Sequence, residues 1–260
     1  MKHQARKRFG QNFLHDPAII ERIVRAVHPQ PGQRLVEIGP GKGAITLPLL
    51  AACKHLDVIE LDRDLVQPLA EKARGLGELV IHQQDALRFD FAALADGERV
   101  RTVGNLPYNI STPLLFHLIA QSDSIQDMHF MLQQEVVDRM AAAPGNRDYG
   151  RLSIMIQYRC RVEPLFGVGP GAFQPAPRVN SAFVRLTPWQ QPPVSVQDTG
   201  CLAILVRQAF SQRRKTLRNT LKGLLSEQAI LATGTDPSAR PETVSLEQYA
   251  ALANRLAEQT

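Results

Sequence analysis

Four times between Gln33 and Leu106 a short apolar run ends on a polar or glycine residue and gives way to a stretch with helical spacing. QRLVEI (Gln33–Ile38) runs straight into GPGKG (Gly39–Gly43), and VIELD (Val58–Asp62) precedes LVQPLAEKAR. LVIHQQD covers Leu79–Asp85, and RVRTVGNL covers Arg99–Leu106. Apolar runs of this length between turn signals read as buried strands, and the periodic stretches between them as helices. A parallel pair needs a long crossover, and a helix between strands supplies one. The pattern therefore predicts an α/β domain on a doubly wound, mostly parallel sheet.

The alternation extends outward. Asp16 before Pro17 reads as a helix cap followed by proline at the first helical position, opening AIIERIVRAV. AITLPLLAAC reads as a helix bent at Pro48. STPLLFHLIA, EVVDRMAA and Tyr149–Tyr158 read as further helices, and MHFMLQ, VEPLFGV and SAFVRLTP as strands. Past the proline-rich QQPPVSVQDTG (Gln190–Gly200) only helical patterns remain, ending in SLEQYAALANRLAEQ. The expected organisation is a sheet-containing domain over residues 1–190, opened by a basic segment at 1–30. A linker over 191–200 and a small all-helical domain over 201–260 follow, with Trp189 packing at the joint.

Charge is concentrated in two places. Residues 1–30 carry a net +4 and residues 201–223 a net +6 without a single acid, so the rest of the +5 chain sums to −5. Two basic patches on an acidic remainder predict a polyanion-binding surface. Its candidates are Arg6, Lys7 and Arg8 in the first patch and Arg213, Arg214, Lys215 and Arg218 in the second. No apolar run reaches membrane-spanning length, and the basic MKHQARKRFGQNF lacks the apolar core of a secretory signal, so a cytoplasmic protein is expected. Cys53, Cys160 and Cys201 are scattered without a C-x-x-C pair, which fits reduced thiols and no metal site.

In open α/β sheets ligands bind beyond the carboxyl ends of the strands, where strand order reverses. Here the four ends carry Gly39 with its glycine loop, Glu60, Asp85 and Asn105. Glycines let a backbone approach a ligand closely, and a following helix N-terminus favours negative charge. Glu60 stands 21 residues after Gly39, where an acid can hold ribose hydroxyls. A nicotinamide dinucleotide site shares the loop and the acid, but G-x-G-x-G lacks that site's usual third-glycine interval.

The fourth end continues as GNLPYNIST, Gly104–Thr112. Asn105-Leu106-Pro107-Tyr108 has the chemistry to grip an exocyclic amine on a flat ring. Such an amine is a poor nucleophile because its lone pair is delocalised into the ring. The Asn105 amide oxygen and the Leu106 carbonyl can each accept one N–H and draw the nitrogen towards a tetrahedral shape. Pro107 fixes its own φ and keeps Leu106 out of the helical region, which turns that carbonyl outward. Tyr108 offers a face for base stacking, worth ~1–3 kcal/mol.

VEIGPGKG, VIELD, QQDAL and GNLPYNIST together resemble the class I S-adenosylmethionine-dependent methyltransferases that modify adenine N6. FGQNFL (Phe9–Leu14), FQPAPRVNSA (Phe173–Ala182) and AFSQRRKTLRN (Ala209–Asn219) narrow the resemblance to the ribosomal RNA adenine dimethyltransferases of the bacterial small-subunit (16S) type. Two positions depart from the pattern: Gln84 stands where glycine is frequent and Asn180 where aspartate is. The resemblance implies a Rossmann-like methyltransferase domain with a helical tail, and S-adenosylmethionine as cofactor. Asn12 and Leu14 would contact it from the N-terminal segment, Gly39 would lie under its methionine part, and Glu60 would hold the ribose. Asp85 would accept from its adenine amine, and Asn105 would serve both cofactor and target. Tyr108 and Phe173 would sandwich the target base. The implied reaction is methyl transfer to N6 of two adjacent adenines in a loop near the 3′ end of small-subunit RNA, by a monomer that needs no metal or membrane and has a role in subunit biogenesis. Two other classes compete. One is an adenine methyltransferase acting on DNA or large-subunit RNA, against which the tail with FSQRRKTLRN argues. The other is a non-catalytic assembly or nucleic-acid-binding factor, which would have no need of Glu60 and Asp85.

Overall fold

The computed structural model describes residues 12–212 and 214–259. A two-residue strand, β1 (Phe13–Leu14), precedes α1 (Pro17–Val27). Asp16 caps that helix, its Oδ1 accepting from the amides of Ala18 at 2.9 Å and Ile19 at 3.2 Å, and Pro17 occupies the first position, where no amide is needed. β2 (Leu35–Ile38), α2 (Thr46–Cys53), β3 (His55–Ile59), α3 (Arg63–Ala73) and β4 (Glu78–His82) follow in the expected alternation. α2 starts later than the sequence predicts. A proline clashes with the carbonyl four residues back, here Ala44, so helix begins at Thr46 and Pro48 falls within the first turn.

After α4 (Phe91–Ala95) come β5 (Val100–Asn105), α5 (Ser111–Ala120), β6 (Ile125–Gln133), α6 (Gln134–Ala141), α7 (Arg151–Arg159) and β7 (Cys160–Val168). β8 (Phe173–Gln174) and β9 (Ser181–Pro188) complete the strands, and α8 (Thr199–Ala209), α9 (Leu217–Thr220), α10 (Glu227–Ala232) and α11 (Leu246–Ala257) form the tail.

The large sheet has the order β4-β3-β2-β5-β6-β9-β7. β4, β3, β2, β5 and β6 pair in parallel, and β9 runs antiparallel to β6, so the sheet is the mostly parallel, doubly wound one expected. β2 and β5 can lie this close because residue 104 is glycine: a Cβ there would sit 2.4 Å from the Ile38 carbonyl oxygen. β1 and β8 form a separate two-stranded ribbon, with Phe13 opposite Gln174 and Leu14 opposite Phe173.

The chain forms two compact units. One holds the chain up to Val137 together with Val162–Pro188; the other holds Asp138–Arg161 and Trp189 onward. Asp138–Arg161, which the sequence pattern assigned to the first domain, thus joins the tail. In the second unit Tyr149, Ile154 and Tyr158 share a buried cluster with Leu202, Leu205, Leu217, Tyr249 and Leu252. The expected linker is built into this unit. Asn254 binds it at both ends of a short stretch, accepting from the Gln197 amide at 2.8 Å and donating to the Ser195 carbonyl at 3.0 Å, and α8 already starts at Thr199. Trp189 donates its indole N–H to the Gln157 carbonyl at 2.9 Å, also within this unit. The three cysteines are buried, and none of them forms a disulfide.

Candidate active site

Strand order reverses between β2 and β5, and a cleft of about 340 Å³ opens at the carboxyl ends of the strands there. Its walls include Asn12, Leu14, Gly39, Glu60, Asp85 and Asn105, the six residues expected at the cofactor, and Leu106, Pro107 and Tyr108.

Glu60 follows the last residue of β3 and is 7% exposed. Its Oε2 accepts from the Gly41 amide at 3.2 Å and its Oε1 from the Asp62 amide at 2.8 Å. Burial raises its pKa, and these two backbone donors oppose that shift. The carboxylate therefore clamps the glycine loop to the start of α3, and each oxygen keeps lone-pair capacity for a further donor. Asp85 stands three residues beyond β4 and caps a short 3₁₀ turn, its Oδ1 accepting from the Leu87 amide at 3.0 Å. Its Oδ2 is the oxygen this cap leaves over.

The ribbon lies on the glycine loop. Gly41 has φ 56°, and a Cβ there would lie 3.1 Å from the Phe13 ring, so the loop needs glycine both for its turn and for this contact. The Lys42 ammonium stands 4.4 Å from the centre of the same ring. The His15 amide bonds the Ala172 carbonyl at 2.9 Å, which fixes the strap at its other end.

Asn105 ends β5 and donates its Nδ2–H to the Asn12 carbonyl at 2.8 Å. A carbonyl can only accept, so this bond sets the orientation of the amide and leaves Oδ1 as the acceptor. The Leu106 amide bonds the Met131 carbonyl at 3.1 Å. The carbonyls of Pro107 and Tyr108 are taken by the Ile110 amide at 3.2 Å and the Ser111 hydroxyl at 3.1 Å. Tyr108 is half-buried, and its hydroxyl shares a 2.6 Å hydrogen bond with Ser181 Oγ. Burial raises the Tyr108 pKa, and the Ser181 contact opposes it, so the phenol stays protonated at neutral pH.

Among the described residues no group of three His, Cys, Asp or Glu is placed to hold a metal ion, and no helix is long and apolar enough to cross a membrane.

The sequence profile of ribosomal RNA adenine dimethylases matches residues 2–258. The chain belongs to that family. It is 61% identical over 259 residues to the ribosomal RNA small subunit methyltransferase A of Pseudomonas aeruginosa, covering 99% of this chain and 96% of the relative. The protein of the same name from Nitrosococcus oceani is 59% identical over 251 residues, covering 96% and 95%. Among solved structures, a dimethyladenosine transferase from Plasmodium falciparum aligns with a TM-score of 0.79 at 24% identity, over 92% of this chain and 95% of that one. The 23S rRNA methyltransferase ErmE aligns with a TM-score of 0.73 at 24% identity, over 95% and 100%. At these identities the likeness is one of fold.

In this member of the adenine dimethylase family, Phe173 is not on the cleft wall. It is 1% exposed and packs in the core cluster that holds Leu14, Ala172 and Phe183. Pairing of β8 with β1 brings Leu14 opposite it, so of the two rings expected to sandwich a base only Tyr108 lines the cleft. Arg214, Lys215 and Arg218 are exposed on the second unit, with Arg218 3.9 Å from Glu227. Arg6, Lys7, Arg8 and Arg213 lie outside the described residues. Sequence reasoning missed Ser181, because the hydrogen bond that reveals it joins segments 73 residues apart. It also missed Phe13 and Lys42, whose contact depends on where the ribbon folds back.

Proposed function

We propose that this chain transfers methyl groups from S-adenosylmethionine to N6 of adenines in small-subunit (16S) ribosomal RNA, dimethylating two adjacent adenines in a loop near the 3′ end, with a role in small-subunit biogenesis. The observation that carries the reading is the Asn105 amide, held by the Asn12 carbonyl so that Oδ1 is its free acceptor, beside Tyr108 in one cleft. The names of its relatives at 61% and 59% identity support the small-subunit target.

The residues present fit that cofactor by their chemistry. Glu60 has lone pairs for two ribose hydroxyls, Asp85 has Oδ2 for an adenine amine, and the loop at Gly39 and Gly41 presents backbone where side chains would intrude. Asn12 and Leu14 would close over it from the strap. When bound, the cofactor supplies an electrophilic methyl group on a sulfonium. Everything else is the work of this chain. Asn105 Oδ1 and the Leu106 carbonyl accept the two N–H bonds of the target amine, localise its lone pair, and stabilise the positive charge that grows on nitrogen. Tyr108 stacks on the base after it leaves its own stack, at a cost of a few kcal/mol. Alignment of this kind is worth ~7–11 kcal/mol of barrier. No general base is needed before the proton leaves the alkylated amine.

Monomethyladenine still has one N–H to give to either acceptor, and Asn105 is a neutral amide, so no ionic clamp demands both hydrogens. The expected end product is therefore N6,N6-dimethyladenine. Incubation with labelled cofactor and small-subunit particles, naked RNA or DNA, followed by mass spectrometry of the nucleosides, tests this. Monomethyladenine alone at full conversion, or label only in DNA or large-subunit RNA, overturns it.

A further inference from the structure

The segment that carries the chain from β8 into β9, residues 175–180, takes no part in lining the cleft. β9 starts at Ser181, opposite Gln133 at the end of β6, and β6 runs parallel to β5. The segment therefore lies at the sheet edge where Asn105 ends its strand. Pro175, Ala176, Arg178, Val179 and Asn180 are all exposed, yet the segment is stiff. Pro175 and Pro177 fix their own φ and restrict Gln174 and Ala176 before them. Gln174 pairs with Phe13 at one end, and the Gln134 amide bonds the Asn180 carbonyl at 2.9 Å at the other. Its end sits beside Tyr108, because Ser181 Oγ is 2.6 Å from that hydroxyl. The Cα atoms of Val179 and Arg178 lie within ~7 and ~11 Å of Ser181, the most that two and three residues can span.

Lone apolar residues are common on protein surfaces. Val179 stands out by its company. Among the described residues, the exposed large apolar side chains of the first unit are Leu61, which lines the cleft, and Val179, which is 44% exposed. Its neighbour Arg178 is exposed too, and the chain carries no acid between Glu163 and Asp198 to offset that charge locally. An adenine drawn into the cleft leaves a gap in its own stack, and proteins that unstack bases often fill such gaps with apolar wedges. We propose that Val179 is such a wedge, packing against the base next to the displaced adenine, and that Arg178 holds the flanking phosphate. The inference rests on the adenine methyltransferase reading above. Tyr108 then stacks on the adenine that has left, Val179 packs on the neighbour that stays, and the stiff segment between β8 and β9 keeps the two apart.

Single-turnover methyl transfer to small-subunit particles tests this, with the 3′ segment of their RNA supplied as a synthetic strand. Two sets of particles carry a single target adenine. Its two neighbours keep their bases in the first set and are abasic in the second, where no stack holds the adenine and a wedge has nothing to pack against. Val179→Ser should be slower than wild type by about tenfold on the first set and equal to it on the second. Val179→Ile keeps the apolar bulk and should hold the wild-type rate on both. S-adenosylmethionine affinity should be the same in all three proteins, since Val179 is not on the cleft wall. Arg178→Gln should lower the salt slope of RNA binding by about 1. Equal rates for wild type and Val179→Ser on the first set overturn the wedge. An equal loss on both sets also overturns it, and would mean that Val179 acts through Ser181 and Tyr108. An unchanged salt slope overturns the Arg178 assignment. Failure of the wild type to methylate unaltered particles would instead strike the methyltransferase reading.

Discussion

A ring that stacks on a base must be held at a fixed tilt, and Tyr108 is held at its far end by Ser181 Oγ, 2.6 Å away. A neutral hydroxyl pair of this kind contributes ~0.5–1.5 kcal/mol. Ser181→Ala and Tyr108→Phe should each slow methyl transfer by up to about tenfold, and the double variant should be no slower than either single one. Ser181→Thr should keep most of the rate, while Tyr108→Ala should lose ~1–3 kcal/mol of stacking. Single-turnover rates that add up in the double variant would detach Ser181 from Tyr108. Glu60 raises a different question, because its carboxylate serves the protein before any ligand arrives. Glu60→Gln keeps an acceptor for one of the two backbone amides and should weaken S-adenosylmethionine binding by about 1.5–3 kcal/mol with little change in melting temperature. Glu60→Ala frees both the Gly41 and the Asp62 amides and should lower the melting temperature as well. Calorimetry and melting curves together check this, and unchanged affinity in Glu60→Gln would remove Glu60 from the ribose. These roles were partly legible in the sequence. Glu60 and Asp85 announced themselves by standing after apolar runs, but the runs end at Ile59 and His82, short of the acids. The reason is local: both carboxylates turn back onto backbone amides, which competes with continuing the ladder.

The ribbon of β1 and β8 shows what periodicity cannot reach. Two-residue strands carry no period, and isolated pairs this short are not stable by themselves. This one persists because its neighbours pin it: Asn105 bonds the Asn12 carbonyl, and Phe13 rests between Gly41 and Lys42. The same geometry buries Phe173, a position the sequence alone leaves equally open to a core ring or a base-stacking one. Long amphipathic elements are legible in the sequence because each buries one face whatever its partner. α1 is the clear case, with Asp16, Pro17 and buried Ile23 and Val27 all visible in advance. A test at this scale is Gly41→Ala. The new Cβ meets the Phe13 ring at 3.1 Å, and φ 56° costs a non-glycine residue ~1–2 kcal/mol. The variant should melt at lower temperature and bind S-adenosylmethionine more weakly, since both strap and loop border the cleft. Unaltered affinity in a destabilised Gly41→Ala protein would mean that the strap is dispensable for the cofactor.

For the molecule as a whole, the decisive division lies in charge. The second unit holds thirteen Lys and Arg against eight Asp and Glu, a surplus of five that equals the formal charge of the entire chain. The sequence pattern located the tail patch but not the contribution of Asp138–Arg161, because a helix such as α7 is amphipathic in the same way whichever core it joins. That segment adds Arg139, Arg147, Arg151, Arg159 and Arg161 to the same unit. Structured RNA is gripped mainly through phosphates, and each neutralised phosphate releases counterions, so binding weakens with salt in proportion to the number of contacts. Arg214 and Lys215 are exposed next to each other on this unit. If both touch phosphates, the double variant Arg214→Glu/Lys215→Glu should weaken binding to small-subunit RNA at low salt and reduce the salt slope by about 2. Its S-adenosylmethionine affinity should not change, because the residues lining the cleft at the strand ends all belong to the first unit. Filter binding across a salt series reads both quantities. An unchanged slope with unchanged affinity would move the RNA grip off this patch, and the next variant to make is then the charge reversal of Arg6, Lys7 and Arg8.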